Sequence, residues 1–396
     1  MLKSEFRLIA LIALLVLAQA CGSSSSDEDI VPVNKKLVSY NESGSLTSSA
    51  AVLGATFLGY GDLANILEHD IKTYKVVYKT NLGDKEVEAS GIVSLPEGDK
   101  AFPLAMIHRG TIFSDGDAPS EESFSTYALA GSAGYIGITP DLIGFGTSKD
   151  ENHPYYLYEP TAKASVDMLV AVKEMLQEMG KKHTSEMVIA GYSQGGYSAL
   201  ATLKWMEENE ENHGFEILGV AAGAGGFDIK DVALGAIAQD DYPSMAYLAF
   251  VTNSYVENND WNRPRTDFFH SDYASGMTNM LDGRYGQGEV NDRLPDNVSD
   301  LFNPDFLTGL QNGNEAEFLQ ALEKNSVADW APKAKVRLYH GTGDEIIPMA
   351  NTIATKNLMI ENGAEAVEFK ELQADSHAAG AMEMLKEVFV WMRSLE

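Results

Sequence analysis

An α/β fold, a mostly parallel sheet with helices on both faces and an inserted, mainly helical cap, is predicted by three features of this 396-residue chain. Short apolar, β-branched runs alternate with longer stretches of helical period, both before residue 226 and after residue 331. A hairpin pattern leads the series. The alternation breaks between Phe227 and Trp330, and a bare loop that long is rare in a compact domain. That interval therefore reads as helices lying over the sheet's C-terminal edge.

The regular pattern begins near Ile71. "IKTYKVVYKT" alternates and is β-branched and aromatic, as a strand requires; "NLGDK" is turn chemistry; "EVEASGIVSLP" completes an antiparallel hairpin. "FPLAMIH", "YIGITPD", "EMVIAGYS", "FEILGVAAGAGG", "AKVRLYHGTGD" and "AVEFKEL" follow as short buried strands. Helices are expected between them. The first is Ser120 to Ala133, where acidic Glu121 and Glu122 suit a first turn. The second is Pro160 to Met179, with Val166, Leu169, Val170 and Leu176 on one face and Gly180 as its stop. Gln194 to Met206, Met349 to Ile360 and Ala379 to Met392 complete the set.

The first residues read as a targeting segment. Lys3 and Arg7 precede a run from Leu8 to Ala18 that is nearly all apolar but too short to span a bilayer. It ends in "LAQAC", where Cys21 is the only cysteine of the chain. This resembles a bacterial lipoprotein signal, which implies cleavage before Cys21 and lipidation of it. Gly22 after the cysteine resembles signals for the outer membrane. The expected division is a signal peptide over 1–20, a flexible tether over 21–45, a body over 46–226 and 331–396, and the cap over 227–330. With its single cysteine lipidated, the mature fold cannot rest on disulfides. The formal net charge of −29 makes nucleic acid and anionic lipid poor partners.

The chemistry centres on "VIAGYSQGGYSAL". Gly191-Tyr192-Ser193-Gln194-Gly195 fits G-x-S-x-G between a strand and a helix, the context in which the motif places a nucleophile on a sharp turn. Glycines two residues to either side relieve the crowding such a turn creates. A serine hydroxyl needs a base, and the base needs an orienting acid. Eight histidines are available. His270 lies in the insert, His340 precedes the candidate acid, and His377 sits in a loop before the last helix. His377 is thus the candidate base. Asp344, in the turn after a buried strand, is the candidate acid, with Glu345 and Asp375 as alternatives. The oxyanion donors expected are the backbone N–H groups of Gln194 and Thr111, with Gly110 as the alternative to Thr111. His108 reads as structural, and Asp141 as holding a turn near the site.

These segments, with "HRGT" and "PDLIGFG", resemble the α/β-hydrolase superfamily over roughly residues 70 to 396, most closely its secretory-lipase and esterase branch. The resemblance implies a serine hydrolase acting on small-molecule or lipid esters, with Ser193, Asp344 and His377 as its triad. It needs no metal or organic cofactor. Peptidases, thioesterases and acyltransferases share the constellation, and a tethered binding protein on a retired scaffold is a third reading. Seven aromatic residues of the insert, Tyr242, Tyr247, Phe250, Tyr255, Trp261, Phe268 and Phe269, are candidates either for a substrate pocket or for the insert's own core.

Overall fold

A computed structural model describes residues 35–57, 59–122, 126–209 and 214–395. The signal peptide, Cys21 and most of the tether lie outside these residues. From Lys36 onward the chain builds a sheet of nine strands among the described residues. They are β1 (Leu37–Leu46), β2 (Ile71–Leu82), β3 (Lys85–Pro96), β4 (Phe102–His108), β5 (Ile136–Pro140), β6 (His183–Tyr192), β7 (Glu216–Gly223), β8 (Val336–Gly341) and β9 (Val367–Leu372). Their spatial order is β1-β2-β3-β5-β4-β6-β7-β8-β9. The β1/β2, β2/β3 and β3/β5 pairs are antiparallel and the remainder parallel.

The apolar strands are continuous because both faces are covered. In β4, Leu104 and Met106 join the core shared with α2 (Tyr158–Glu178) and α3 (Gln194–Glu208), whereas Ala105 and Ile107 join the core under α9 (His377–Arg393). Successive side chains of a strand point to opposite faces, so a strand buried on both has no polar alternation to show.

Two expectations are corrected here. Residues 37–45 are not tether: they pair with β2. The Glu174 carboxylate accepts from the N–H groups of Lys36 and Leu37, and Lys36 Nζ lies 2.8 Å from Asp167. In β1 only Leu37 is buried, so the strand is held by backbone pairing and carries no apolar pattern to read. The helix α1 (Ser48–Phe57) follows it and was also not anticipated. Nor do residues 120–133 form one helix. Ser120 spends its N–H and hydroxyl on the Asp141 carboxylate instead of capping a helix, and the described part holds only short turns, Thr126–Ala128 and Leu129–Ser132.

Between Phe227 and Trp330 every described element is helical except one isolated bridge, Phe269 to Phe302. The longer helices are α4 (Ile229–Ile237), α5 (Met245–Asn258), α6 (Pro304–Asn312) and α7 (Ala316–Asn325), and α8 (Met349–Glu361) follows after β8. The segment has its own aromatic core, in which Phe268, Phe306 and Phe318 meet edge-on or tilted. Its two ends meet where Val327 N–H donates to Phe227 O at 2.8 Å. Tyr255 Oη donates to Tyr156 O and Tyr242 Oη to Ile346 O, tying the insert to the body.

Candidate active site

Ser193 caps α3 with φ 58° and ψ −128°, a conformation that strains any residue but glycine. The cost is of order 1–3 kcal/mol and persists only if neighbours enforce it. They do. Ser193 N–H donates to Gly223 O at 2.9 Å, locking the turn onto β7. A Cβ on Gly191 would lie 2.2 Å from Gly195 O, and one on Gly195 would lie 2.4 Å from His108 O. These are backbone atoms that cannot swing away. Gly195→Ala is therefore expected to destabilise the fold by ~1–3 kcal/mol, the usual penalty of overpacking, seen as a lower Tm together with lost activity.

Asp344 follows β8, and its side chain is buried. Oδ1 accepts from the N–H groups of Ile346 and Ile347 at 3.0 and 2.8 Å. Oδ2 accepts from His377 Nδ1 at 2.7 Å and from Tyr192 Oη at 3.3 Å. Burial acts to raise this carboxyl, but the hydrogen bond and charge of His377, with the Ile347 N–H, outweigh it and hold Asp344 below its ordinary range. His377 opens α9. Its N–H donates to Glu345 at 2.8 Å, and Ser376 caps the helix by accepting from Ala379 N–H. His377 Nε2 is buried without a protein partner. Ser193 and His377 line one cavity but are not hydrogen-bonded to each other; such bonds are often long before substrate arrives.

The other candidates separate cleanly. His340 is buried and commits both nitrogens, Nδ1 to Thr352 Oγ1 at 2.7 Å and Nε2 to Ile347 O at 2.9 Å. His270 is a partly exposed residue of the insert beside Asp272. Glu345 holds the His377 backbone, and Asp375 is exposed. Thr111 and Gly110 line the cavity that holds Ser193 and His377. Thr111 Oγ1 bonds Tyr155 Oη at 2.8 Å. Gln194 begins α3, with its side chain buried beneath the turn.

Beneath Gln194 lies a polar layer that the sequence did not reveal. Arg109 is 1 % exposed. It donates from Nε and Nη2 to Asp141 O and from Nη1 to Gly110 O and Gln194 Oε1, all within 3.1 Å. The Phe145 ring lies 4.7 Å from its guanidinium. Burial lowers Arg109 to about 10, which still leaves it charged at neutral pH. A buried charge costs several kcal/mol unless its donors are met, and here four of the five N–H donors have protein acceptors. The Asp141 carboxylate binds Ser90 Oγ and Ser120, joining β3 to the loop before residue 122. His153 Nδ1 donates to Ile143 O at 2.6 Å, so its Nε2 accepts from Gln194 Nε2 at 2.8 Å.

His108 and His153 are both pushed from 6.5 to about 3, chiefly by burial, with the Arg109 charge adding. Unfolding lets them take up protons below pH ~6.5. Their stabilising effect is thus complete above that value and is lost as pH falls toward 3, with a slope of up to ~1.4 kcal/mol per pH unit for each. Urea midpoints should decline steadily from pH 7 to 4, and His153→Gln should flatten the decline.

Two cavities meet at Ser193. One, with about 820 Å³ of empty space, runs between the body and the insert and is walled by Ile229, Leu234, Tyr242, Val251, Phe302 and Phe318 among others. The second lies toward α9, is partly open to solvent, and contains His377, Gly110 and Thr111. Tyr247 touches both. Of the seven insert aromatics, Tyr242 and Tyr247 line these two cavities, whereas Phe250, Tyr255, Trp261, Phe268 and Phe269 do not and pack in the core or against it, Trp261 and Phe268 also lining a separate pocket within the insert. Phe302, Phe306 and Phe318 line the first cavity and were not singled out from sequence. Among the described residues no group of three or more His, Cys, Asp or Glu is arranged to hold a metal.

The family model of secretory lipases matches residues 122–394. The chain belongs to the secretory lipase family. It is accordingly a carboxylic-ester hydrolase with the α/β-hydrolase fold, and the family points to export. Solved structures similar to this secretory lipase agree in fold. A Legionella pneumophila protein described as a candidate hydrolase is 24% identical, with a TM-score of 0.84 over 91% of this chain and 98% of its own. The rice cell wall degrading esterase LipA of Xanthomonas oryzae is 20% identical, with a TM-score of 0.78 over 92% and 98%. Candida antarctica lipase A in its closed state is 16% identical, with a TM-score of 0.66 over 90% and 82%. No curated protein sequence matches the chain. Among the described residues no helix is long and apolar enough to cross a membrane.

Proposed function

We propose that this secretory lipase hydrolyses esters through Ser193, His377 and Asp344. Ser193 Oγ attacks the ester carbonyl as His377 Nε2 takes its proton. The C–O bond to the alcohol then breaks, His377 returns the proton to the leaving oxygen, and an acyl-enzyme remains. Water, deprotonated by His377, releases the acid and restores Ser193. Asp344 fixes the imidazole tautomer and stabilises its cation. The backbone N–H groups of Gln194 and Thr111 receive the oxyanion, with Gly110 as the alternative to Thr111. The observation that carries this reading is the 2.7 Å bond from His377 Nδ1 to Asp344, with Nε2 left free and buried in the cavity of a strained serine.

The cavity toward the insert takes the acyl group, so residues 227–330 act as a cap that sets acyl preference. A peptidase that holds a free amine would need a carboxylate, and no Asp or Glu lines either cavity among the described residues. The enzyme is exported and carried on the outer membrane by a lipid on Cys21, with the following residues as tether. A fluorophosphonate probe should label the wild type and Ser198→Ala but not Ser193→Ala, alongside turnover of a graded ester panel. Peptide turnover without ester turnover, or a wild type that takes no label, would refute the reading.

A further inference from the structure

The cavity toward α9 has a separate role that follows from the geometry of a tetrahedral carbon. Once bonded to Ser193 Oγ, that carbon carries three other substituents: the oxyanion, the leaving oxygen and the acyl carbon. The oxyanion must face the backbone donors. The leaving oxygen must face the imidazole that protonates it. Thr111 and His377 line the second cavity and not the first, whereas Ser193 lines both. The acyl carbon is left with the first cavity, and the alcohol must extend into the second.

The walls of the second cavity then define the alcohol. Ile107, Met384, Leu385, Val388 and Phe389 are apolar, and Met382, 45 % exposed, stands at its rim. Several of its polar groups are turned to protein partners: Thr111 Oγ1 to Tyr155, Tyr192 Oη to Asp344, and His108 Nε2 to Thr202. No Asp, Glu, Lys or Arg lines it among the described residues, so a cationic or anionic alcohol finds no counter-charge. An apolar wall rewards each buried methylene, while a sugar would give up its water largely to apolar surface, with the hydroxyls of Tyr60, Thr126 and Tyr127 set against that loss. We infer that the cavity under α9 is the leaving-group site and selects esters of uncharged, apolar alcohols, so that the substrate is apolar on both sides of the scissile bond. This rests on the triad reading above and adds to it the class of alcohol.

The test holds the acid constant and varies the alcohol. Methyl, octyl and choline butyrate and a butyryl glucose are compared by kcat/KM below their aggregation limits. Octyl butyrate is expected to exceed methyl butyrate by at least tenfold, and the choline and glucose esters are expected not to exceed methyl butyrate. Ala381 lines the cavity and is only partly buried. Ala381→Phe should erase the preference for octyl over methyl butyrate and leave the ranking of methyl esters by acyl length unchanged. Leu385→Ala, which widens the cavity, should shift preference toward bulkier alcohols. Equal turnover of all four esters, preference for choline or glucose, or loss of methyl and octyl turnover alike in Ala381→Phe without a shift from Leu385→Ala would overturn the assignment. Turnover of methyl butyrate with labelling at Ser193 would still leave the hydrolase reading standing. Absence of both would remove the two together.

Discussion

Ser193→Ala is expected to lower kcat by roughly 10⁵ to 10⁶, with KM little changed, because the substitution deletes the attacking oxygen and leaves the binding surfaces intact. The residual rate should stay above that in free water, since the oxyanion donors and cavities remain. The change is nearly silent for folding. Ser193 is held by backbone bonds, with its N–H to Gly223 O and its carbonyl accepting from Tyr197 N–H, and alanine keeps both. Its positive φ is retained by the same neighbours. The Tm should therefore stay within a degree or two while kcat collapses. A variant that keeps more than a hundredth of wild-type kcat would show that another group attacks.

Asp344→Asn should cost about 10⁴ in kcat, for a different reason. The amide oxygen can still accept from the Ile346 and Ile347 N–H groups, so the turn after β8 survives. The amide nitrogen then faces His377 Nδ1. That nitrogen is a donor and requires an acceptor, so the imidazole proton moves to Nε2 and the base is lost. Asp344→Asn also removes a group held below its ordinary range. The stabilisation from that depression is present above the unfolded value of about 4 and lost as pH falls through the folded one. The wild type should lose part of its urea resistance below pH 4, and the variant should lose less of it. The alternative assignment, Glu345, predicts the reverse pattern: Glu345→Gln would abolish activity. Glu345→Gln is expected instead to retain activity with a weakened α9 N-terminus, because its carboxylate meets a backbone N–H and no ring nitrogen.

The sequence spoke most clearly where one local rule decides the structure. Apolar runs such as "FPLAMIH" fit strands buried on both faces, and β4 is one. Gly191 and Gly195 flank the serine because backbone oxygens occupy the space a side chain would need. The chain order of serine, acid and histidine singled out Asp344 and His377, and the two are hydrogen-bonded. Silence came where the stabilising partner is distant. Glu174 clamps β1 from more than a hundred residues away, and nothing in "LVSYNESGSL" reports it. Arg109, His153 and Gln194 form one buried layer from three separate segments. Ser120 resembled a helix start because its capacity to accept from a backbone N–H is visible in sequence, but its choice of Asp141 is not. The insert aromatics could not be divided between wall and core for the same reason: composition gives their number, and only packing gives their direction.

The bond between Val327 and Phe227 means that the chain departs from the body and rejoins it at adjacent points. A detour that begins and ends in one place imposes no tension on what it left. Because the closure is local, the length of the detour weighs little on the sheet's register: doubling a closed loop costs only about 0.6 kcal/mol.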